Sequence, residues 1–280
     1  MATTLRTDTT ARSTLGDLLR EWRKRRHHSQ LSLALEAGIS QRHLSFVESG
    51  RSQASREMVL KLAEQLEIPL RERNRLLTAA GFAPLFPEHA FDDPALDAAR
   101  RAIERVLQAH EPYPALAIDR HWNLVAANRA VQPFMAAAAP SLLTPPINVL
   151  RLSLHPEGLA PRIANFAQWK SYLLRRIQRE NELSGDPVMR ELLAELQGYS
   201  REGASDDETM PSIAHADDRV FVPLQLTSED GVLTFISTTT VFGTPVDVTV
   251  SEIALECLFP ADDLTAAHLR KLQALPNDLA

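Results

Sequence analysis

Hydrogen-bond donors line one predicted helix in the stretch SQLSLALEAGISQRHLSFVESG, residues 29–50. The stretch is typical of two short helices joined by a tight turn at Gly38, and Ser40 is a residue that commonly caps a helix N-terminus. On the second helix, Leu44 and Val47 are three residues apart and can point inward together. With Gln41 at the exposed N-terminal end, the opposite face carries Arg42, Ser45, Phe46 and Ser49. Donors in this arrangement can read base edges in the major groove of DNA.

Helical patterns on both sides of this stretch predict a compact bundle that would hold the donor-bearing helix in place. Apolar residues recur with helical spacing over residues 15–26, Ser55 precedes a fourth helix over 56–67, and a fifth begins near Arg71 and ends at Gly81. Five short helices therefore form a predicted all-α domain at residues 14–82, preceded by a flexible arm at residues 1–13.

The length and composition limit the classes of protein to which the chain can belong. At 280 residues the chain is long enough for two domains, and it contains no run of 18 apolar residues, so no membrane span is expected. The N-terminus lacks the apolar segment of a secretory signal. The single Cys257 excludes an internal disulfide framework and is interpreted as a core residue. These features indicate a protein of the reducing cytoplasm.

The charge is divided unevenly along the chain. Residues 1–82 hold 14 Lys and Arg against 9 Asp and Glu, a net charge of +5, whereas residues 83–280 hold 16 against 27, a net charge of −11. A basic first part fits a polyanionic partner such as DNA. The acidic second part would be repelled by the same phosphates, which indicates a different task.

The stretch 29–50 resembles the helix-turn-helix of the Cro/repressor (XRE) type, and the resemblance covers residues 15–80. It implies a lambda-repressor-like five-helix domain that binds a double-stranded DNA operator and regulates transcription. A homodimer on a two-fold symmetric site is then expected.

The resemblance also implies roles for individual side chains. Gln30 would donate to a backbone phosphate, and Glu48, an acid on the DNA-facing helix, would pair with Arg23. Phe46 would face the bases, where it can pack on a thymine methyl, with a place inside the bundle as the alternative. Arg51 and Arg56 flank the loop after the second helix of the motif, and ordinary solvated charge is the alternative for both. The full predicted DNA-binding set is Gln30, Ser40, Gln41, Arg42, His43, Ser45, Phe46, Ser49, Arg51 and Arg56.

Beyond a proline-containing linker at residues 83–94, strand and helix patterns mix. The segments 114–119 and 122–128 predict a strand pair, 163–181 and 188–197 predict helices, and 220–242 predicts a β-hairpin turning at 228–231. A further strand is expected within 246–260, and residues 201–218 are predicted to form a polar, acidic loop. Separated strand pairs with helices between them favour an antiparallel sheet covered by helices, which makes the whole chain α+β.

Three segments of this second half resemble the ligand-binding domain of MmyB-like regulators: HEPYPALAIDRHWNLVAANRA, NVLRLSLHPEGLAPRIANFAQW and LFPADDLT. The resemblance implies a PAS-like domain at residues 95–280 with a cavity for an apolar small molecule, fatty acids being the known type. For Asn128 the alternative is a helix cap, for Trp169 and Leu173 it is simple core packing, and for Arg176 it is contact with water. The predicted ligand-binding set is Trp122, Asn128, Asn165, Trp169, Leu173, Arg176, Phe221 and Phe235.

The sequence carries no catalytic or metal-binding pattern. The nine His are scattered, and no His pair or Cys cluster has metal-ligand spacing. No nucleophile elbow, phosphate loop or dinucleotide fingerprint occurs, so we expect no enzyme, no cofactor and no metal. The sequence thus predicts a ligand-responsive transcriptional regulator, the alternative being a cytosolic carrier or enzyme with an attached DNA-binding module.

Overall fold

The computed structural model describes residues 13–200 and 221–273. The chain divides into two compact units, Met1–Glu88 and His89–Ala280, and the division falls within the predicted linker. The predicted arm, except for Ser13, and the predicted acidic loop at 201–218 lie outside the described residues.

The first unit is helical, as predicted. Its helices are α1 (Leu15–Arg25), α2 (Gln30–Glu36), α3 (Gln41–Glu48), α4 (Arg56–Gln65) and α5 (Leu70–Ala79). The observed helix boundaries lie within two residues of those that the sequence predicts, and α5 ends at Ala79, just before the turn at Gly81.

Side-chain caps set the beginnings of four of these helices. Thr14 forms a capping box with Asp17 at the start of α1. Ser29, Ser40 and Ser55 each accept a hydrogen bond from the backbone N–H three residues further on. Because these bonds satisfy N–H groups that a helix start leaves without partners, the serine positions fix where α2, α3 and α4 begin.

A single core holds the five helices together. Leu19, Leu33, Leu44 and Leu62 are fully buried within it. Leu44 and Val47 both point inward from α3, as the spacing predicts. The outward face of α3 is thereby fixed by the burial of its inward face.

The second unit contains a five-stranded sheet and seven α-helices among the described residues. Its elements are α6 (Asp97–Ala109), β1 (Ala115–Ile118), β2 (Leu124–Ala127), α7 (Gln132–Met135), α8 (Val149–Leu154), α9 (Phe166–Ser184), α10 (Pro187–Gln197), β3 (Leu224–Ser228), β4 (Gly231–Val241), α11 (Val248–Ser251), β5 (Ala254–Pro260) and α12 (Asp263–Gln273).

The sheet is antiparallel throughout, in the order β2-β1-β5-β4-β3. The predicted strand pair forms β1 and β2, and the predicted hairpin forms β3 and β4. The expected further strand is β5, which lies at the centre of the sheet between β1 and β4. The prediction of an α+β fold is confirmed.

Alternation along β1 and β5 gives the sheet two different faces. Ala115, Ala117, Leu255 and Cys257 pack with Ile103 of α6 on one face. The next residue along each strand points to the other face, which α8 and α9 cover. That second face bears the cavity described below.

Candidate functional site

The outer face of α3 presents the predicted donors. Gln41, Arg42 and Ser49 are exposed, and His43, Ser45 and Phe46 are half-buried. Ser40 accepts a hydrogen bond from the backbone N–H of His43 at 3.1 Å, so it caps the helix. The structure therefore brings the predicted α3 residues onto one surface that is open to a partner.

Phe46 supports the guanidinium of Arg42. The Arg42 guanidinium carbon lies 5.3 Å from the centre of the Phe46 ring, one helical turn away. This is a cation–π distance, and it holds a flexible side chain over the helix surface. The half-buried ring is therefore not enclosed in the bundle, which was the alternative placement.

Glu48 faces the bundle and is paired, as the resemblance implies. Arg23 donates to its two carboxylate oxygens from Nε at 2.6 Å and from a terminal nitrogen at 3.0 Å. Gln30 donates to the same carboxylate at 2.9 Å. Burial by itself raises the pKa of Glu48, but the bonds from Arg23 and Gln30 outweigh it and hold the pKa below its usual range.

Gln30 thus has a structural bond at the position where a phosphate contact is expected. An amide carries two N–H groups, and the bond to Glu48 uses one of them. The other predicted contacts, Arg51 and Arg56, are exposed on the loop after α3 and at the start of α4.

A cavity of about 120 Å³ lies in the second unit, on the face of the sheet that α8 and α9 cover. Its walls are mostly aliphatic and aromatic side chains from β1–β5, α8 and α9 and from the segments between them. They include Leu116, Trp122, Leu124, Phe134, Leu150, Leu152, Trp169, Leu173, Leu224, Leu226 and Leu258. Its volume is close to the ~150 Å³ of an apolar protein cavity that accepts benzene.

One end of the cavity is polar. Arg176 of α9 donates to Glu256 of β5 at 2.7 Å and to Glu180 at 3.1 Å. The Arg176 guanidinium also lies over the ring of Trp122, at 4.4 Å from its centre. Burial by itself lowers the pKa of Arg176, but its bonds to Glu256 outweigh it and raise the pKa.

Glu256 is 7% exposed and has further partners in the sheet. Ser237 donates to one of its carboxylate oxygens at 3.1 Å, and Thr239 donates to the other at 2.8 Å. Arg176 also donates to both oxygens, at 2.7 and 3.3 Å. The carboxylate therefore accepts four hydrogen bonds, which is about its full capacity.

Two tryptophans of the cavity wall are held by hydrogen bonds of their indole N–H groups. Trp122 donates to Glu180 at 2.9 Å, and Trp169 donates to Ser153 at 3.1 Å. Trp122 also adopts φ of +64° in the turn between β1 and β2. A bulky residue rarely takes this left-handed conformation, and such strain persists where the surroundings enforce it.

Four of the eight predicted ligand-binding residues line the cavity: Trp122, Trp169, Leu173 and Arg176. The other four lie elsewhere. Phe221 is 48% exposed, and Phe235 is fully buried in the core against Phe134. Both are apolar residues in or next to the hairpin, but neither lines the cavity.

Asn128 and Asn165 are structural rather than cavity-lining. Asn128 accepts from the N–H of Ala115 and donates to the carbonyls of Leu107 and Tyr113, and it makes no helix-cap bond. Asn165 donates to Pro223 O at 2.8 Å and accepts from Gln225 N at 3.1 Å. Their amides are used in joining chain segments and do not line the cavity, so the geometry of the cavity gives no support to the prediction that they anchor a ligand.

Sequence reasoning missed Glu256 and Ser237, the polar groups of the cavity that lie on the sheet. Glu256 stands in the apolar run ALECLFP, and a lone acid in a central strand must find a buried partner. That signal was available, but its partner Arg176 lies 80 residues earlier in the chain.

The described residues, 13–200 and 221–273, hold no group of three His, Cys, Asp or Glu that could bind a metal ion. No helix in the same ranges is long and apolar enough to cross a membrane.

Comparisons with known proteins agree with this division of the chain. Residues 99–272 match the family model described as the MmyB-like transcription regulator ligand binding domain, and residues 19–73 match a helix-turn-helix model. A protein of Methanoculleus marisnigri that is named as an HTH-type transcriptional regulatory protein is 36% identical over 116 residues. The match covers 40% of this chain and 37% of that relative, so the chain spans little more than a third of its length.

A solved structure of an RNA-binding light-oxygen-voltage receptor is 15% identical, with 95% of this chain and 65% of the receptor covered. Its TM-score of 0.23 is too low to indicate a shared fold or a shared function.

Proposed function

This chain belongs to the MmyB-like transcription regulators, and we propose that it binds a DNA operator through α3 and that a small apolar molecule in its cavity modulates that binding. The family consists of regulators and not of enzymes. One observation carries the proposal: the same chain holds a mostly apolar cavity with a polar end and an outer face of α3, called the recognition face, that bears Gln41, Arg42, Ser45, Phe46 and Ser49.

The side chains of the recognition face fit contact with DNA. Arg42 is exposed, forms no ion pair within the described part of the chain, and lies over Phe46, so its guanidinium is available to a guanine edge. Arg42→Ala should therefore cost about 1–3 kcal/mol on the preferred operator and less on random DNA. Equal losses on both DNAs, in electrophoretic mobility-shift titrations, would reduce Arg42 to a phosphate contact.

The cavity supports an apolar effector. Sites for small molecules combine apolar walls with a few polar groups, and this cavity has that character. The family resemblance implies molecules of the acyl type, with a fatty acid as the first to test. At about 120 Å³ the cavity fits a short chain, whereas a longer one requires the wall side chains to move.

Two measurements test the effector. Native mass spectrometry of the purified full-length chain should show a bound molecule, and short acyl compounds should raise the melting temperature by mass action. Operator affinity should then change when the cavity is saturated, since an effector acts only by binding two states with different affinity. No bound mass together with no melting shift would remove ligand binding from the proposal.

Three further features belong to the same proposal. The five-stranded antiparallel sheet with a cavity on one face supports a PAS-like description of the second unit. A two-fold symmetric operator would be matched by a homodimer, which sedimentation of the protein–DNA complex tests. A DNA partner and a single, buried Cys257 support a cytoplasmic location.

A further inference from the structure

The charges at the polar end of the cavity do not balance. Arg176 contacts two carboxylates, Glu256 and Glu180, so the three groups together carry a formal charge of −1. Arg176 and Glu256 are the charged residues among the described residues that line the cavity. A ligand therefore meets a guanidinium that is already neutralised.

The carboxylate of Glu256 is also fixed in place. Its four hydrogen bonds come from Arg176, Ser237 and Thr239, which tie α9 to the β4 and β5 strands. An anionic head group would have to displace this carboxylate from Arg176 or lie beside it. Both are costly, because like charges repel strongly in a poorly solvated site and a displaced buried charge needs a new partner.

We infer that Glu256 selects against anionic head groups, so that the cavity takes an apolar molecule whose head group is uncharged. The inference rests on the proposed ligand-binding function and narrows its ligand class to alcohols, esters, amides and protonated acids, so an ionised fatty acid is expected to bind more weakly than an uncharged molecule with the same chain. Three of the five N–H groups of Arg176 are used by Glu256 and Glu180. The remaining two suit an uncharged oxygen, which accepts a hydrogen bond without adding charge.

Two molecules with the same chain and different head groups test the inference on the full-length protein. The probes are 1-hexanol and hexanoate at pH 7.5, whose six-carbon chain suits a cavity of about 120 Å³. We expect 1-hexanol to bind at least about tenfold more tightly, as one unfavourable charge contact in a partly desolvated site requires. Affinities come from ligand-observed NMR titrations, and intermolecular nuclear Overhauser effects to the indole protons of Trp122 and Trp169 assign binding to the cavity.

A charge-removing variant then identifies the residue responsible. Glu256→Gln keeps the shape of the side chain and removes one negative charge, so the affinity for hexanoate should rise about tenfold, while that for 1-hexanol changes less than about twofold. Glu111→Gln is the matched control, because Glu111 also pairs with an arginine, Arg129, in the same unit and does not line the cavity. It should change neither affinity.

The outcomes separate the two levels of the proposal. Hexanoate binding to the unaltered chain as tightly as 1-hexanol would overturn the role of Glu256 and leave ligand binding intact. Absence of cavity contacts with either probe would overturn both. If Glu256→Gln does not fold, the comparison of head groups on the unaltered chain still decides whether the cavity rejects anionic molecules.

Discussion

Gly16 of α1 lies directly against the backbone carbonyl of Glu48 at the end of α3. A Cβ built at position 16 would be 2.3 Å from the carbonyl oxygen of Glu48, closer than any real Cβ contact. Arg20, one turn further along α1, donates to the same oxygen at 2.8 Å. Helix α1 therefore packs closely on the C-terminal end of α3, because Gly16 has no side chain in the way and Arg20 donates to the carbonyl there.

Gly16→Ala should destabilise the first unit by about 1–3 kcal/mol, because the packed backbones must separate to admit a methyl group. Gly243→Ala serves as the control, since nothing lies within 4 Å of a Cβ at that position. Chemical unfolding followed by circular dichroism measures both variants. Equal stability of the two would mean that α1 and α3 can part without cost.

The ion pair of Glu48 and Arg23 should make stability depend on acidity. The pKa of Glu48 is lower in the folded chain than its ordinary value of 4.5, so the pair contributes fully above that value. Its contribution is lost as the pH falls through the lowered pKa. The free energy of unfolding should therefore decrease at acid pH, and Glu48→Gln should flatten this part of the profile.

Glu64→Gln provides the comparison for that profile, because Glu64 is exposed on α4 in the same unit. It should leave the slope of stability against pH as it is in the unaltered chain. An equal flattening by Glu64→Gln would show that the slope reflects overall charge and not the buried pair.

Phe46 should affect DNA binding through Arg42. Phe46→Leu removes the ring under the guanidinium while keeping an apolar side chain, and we expect operator affinity to fall by about 0.5–1 kcal/mol. The combination with Arg42→Ala should be less than additive, because each change removes the same contact. Strict additivity in mobility-shift titrations would mean that Phe46 acts on the DNA independently.

DNA affinity should fall steeply with salt, because residues 1–82 carry a net charge of +5. With about 3–4 ionic contacts in each half-site, a dimer should show a slope of about −5 to −7 when the logarithm of affinity is plotted against that of KCl concentration. A flat plot would exclude phosphate neutralisation as the main source of affinity.

Asn128 should prove essential to the second unit's stability and not to ligand contact. Asn128→Ala removes the three hydrogen bonds to Ala115 N–H and to the carbonyls of Leu107 and Tyr113, at a cost of about 2–3 kcal/mol. Gln178→Ala, at an exposed position of α9, should cost less than about 0.5 kcal/mol. A stable Asn128→Ala variant that fails to bind the six-carbon alcohol would restore the ligand-anchor role.

The local signals in the sequence were sufficient for the helical unit. Ser29, Ser40 and Ser55 act through backbone groups three residues away, and the inward residues of α3 follow from helical spacing alone. The proximity of Gly16 to Glu48 did not follow, because no local pattern shows where two helices cross. The helix α12 was also missed, although Ala266, Leu269 and Leu272 recur with helical spacing just after the segment LFPADDLT.

The cavity was harder to predict because its residues come from distant segments. Helical spacing identified Trp169, Leu173 and Arg176 as one face of α9, and all three line the cavity. The pairing of Arg176 with Glu256 depends on how α9 lies over β5. That placement requires the complete sheet, with the strand order β2-β1-β5-β4-β3, and no local sequence pattern predicts it. The bonds of Asn128 and Asn165 also go to distant segments, so helical or strand spacing did not predict that these side chains join segments and do not line the cavity.

The distribution of the three tryptophans gives the molecule a built-in optical reporter. Trp22 is buried in the first unit, whereas Trp122 and Trp169 both form the cavity wall. Replacing Trp22 with phenylalanine would leave an indole emission that arises in the cavity wall alone. Changes in its wavelength and quenching would then follow the filling of the cavity on an intact, unlabelled chain, even while that chain is bound to DNA.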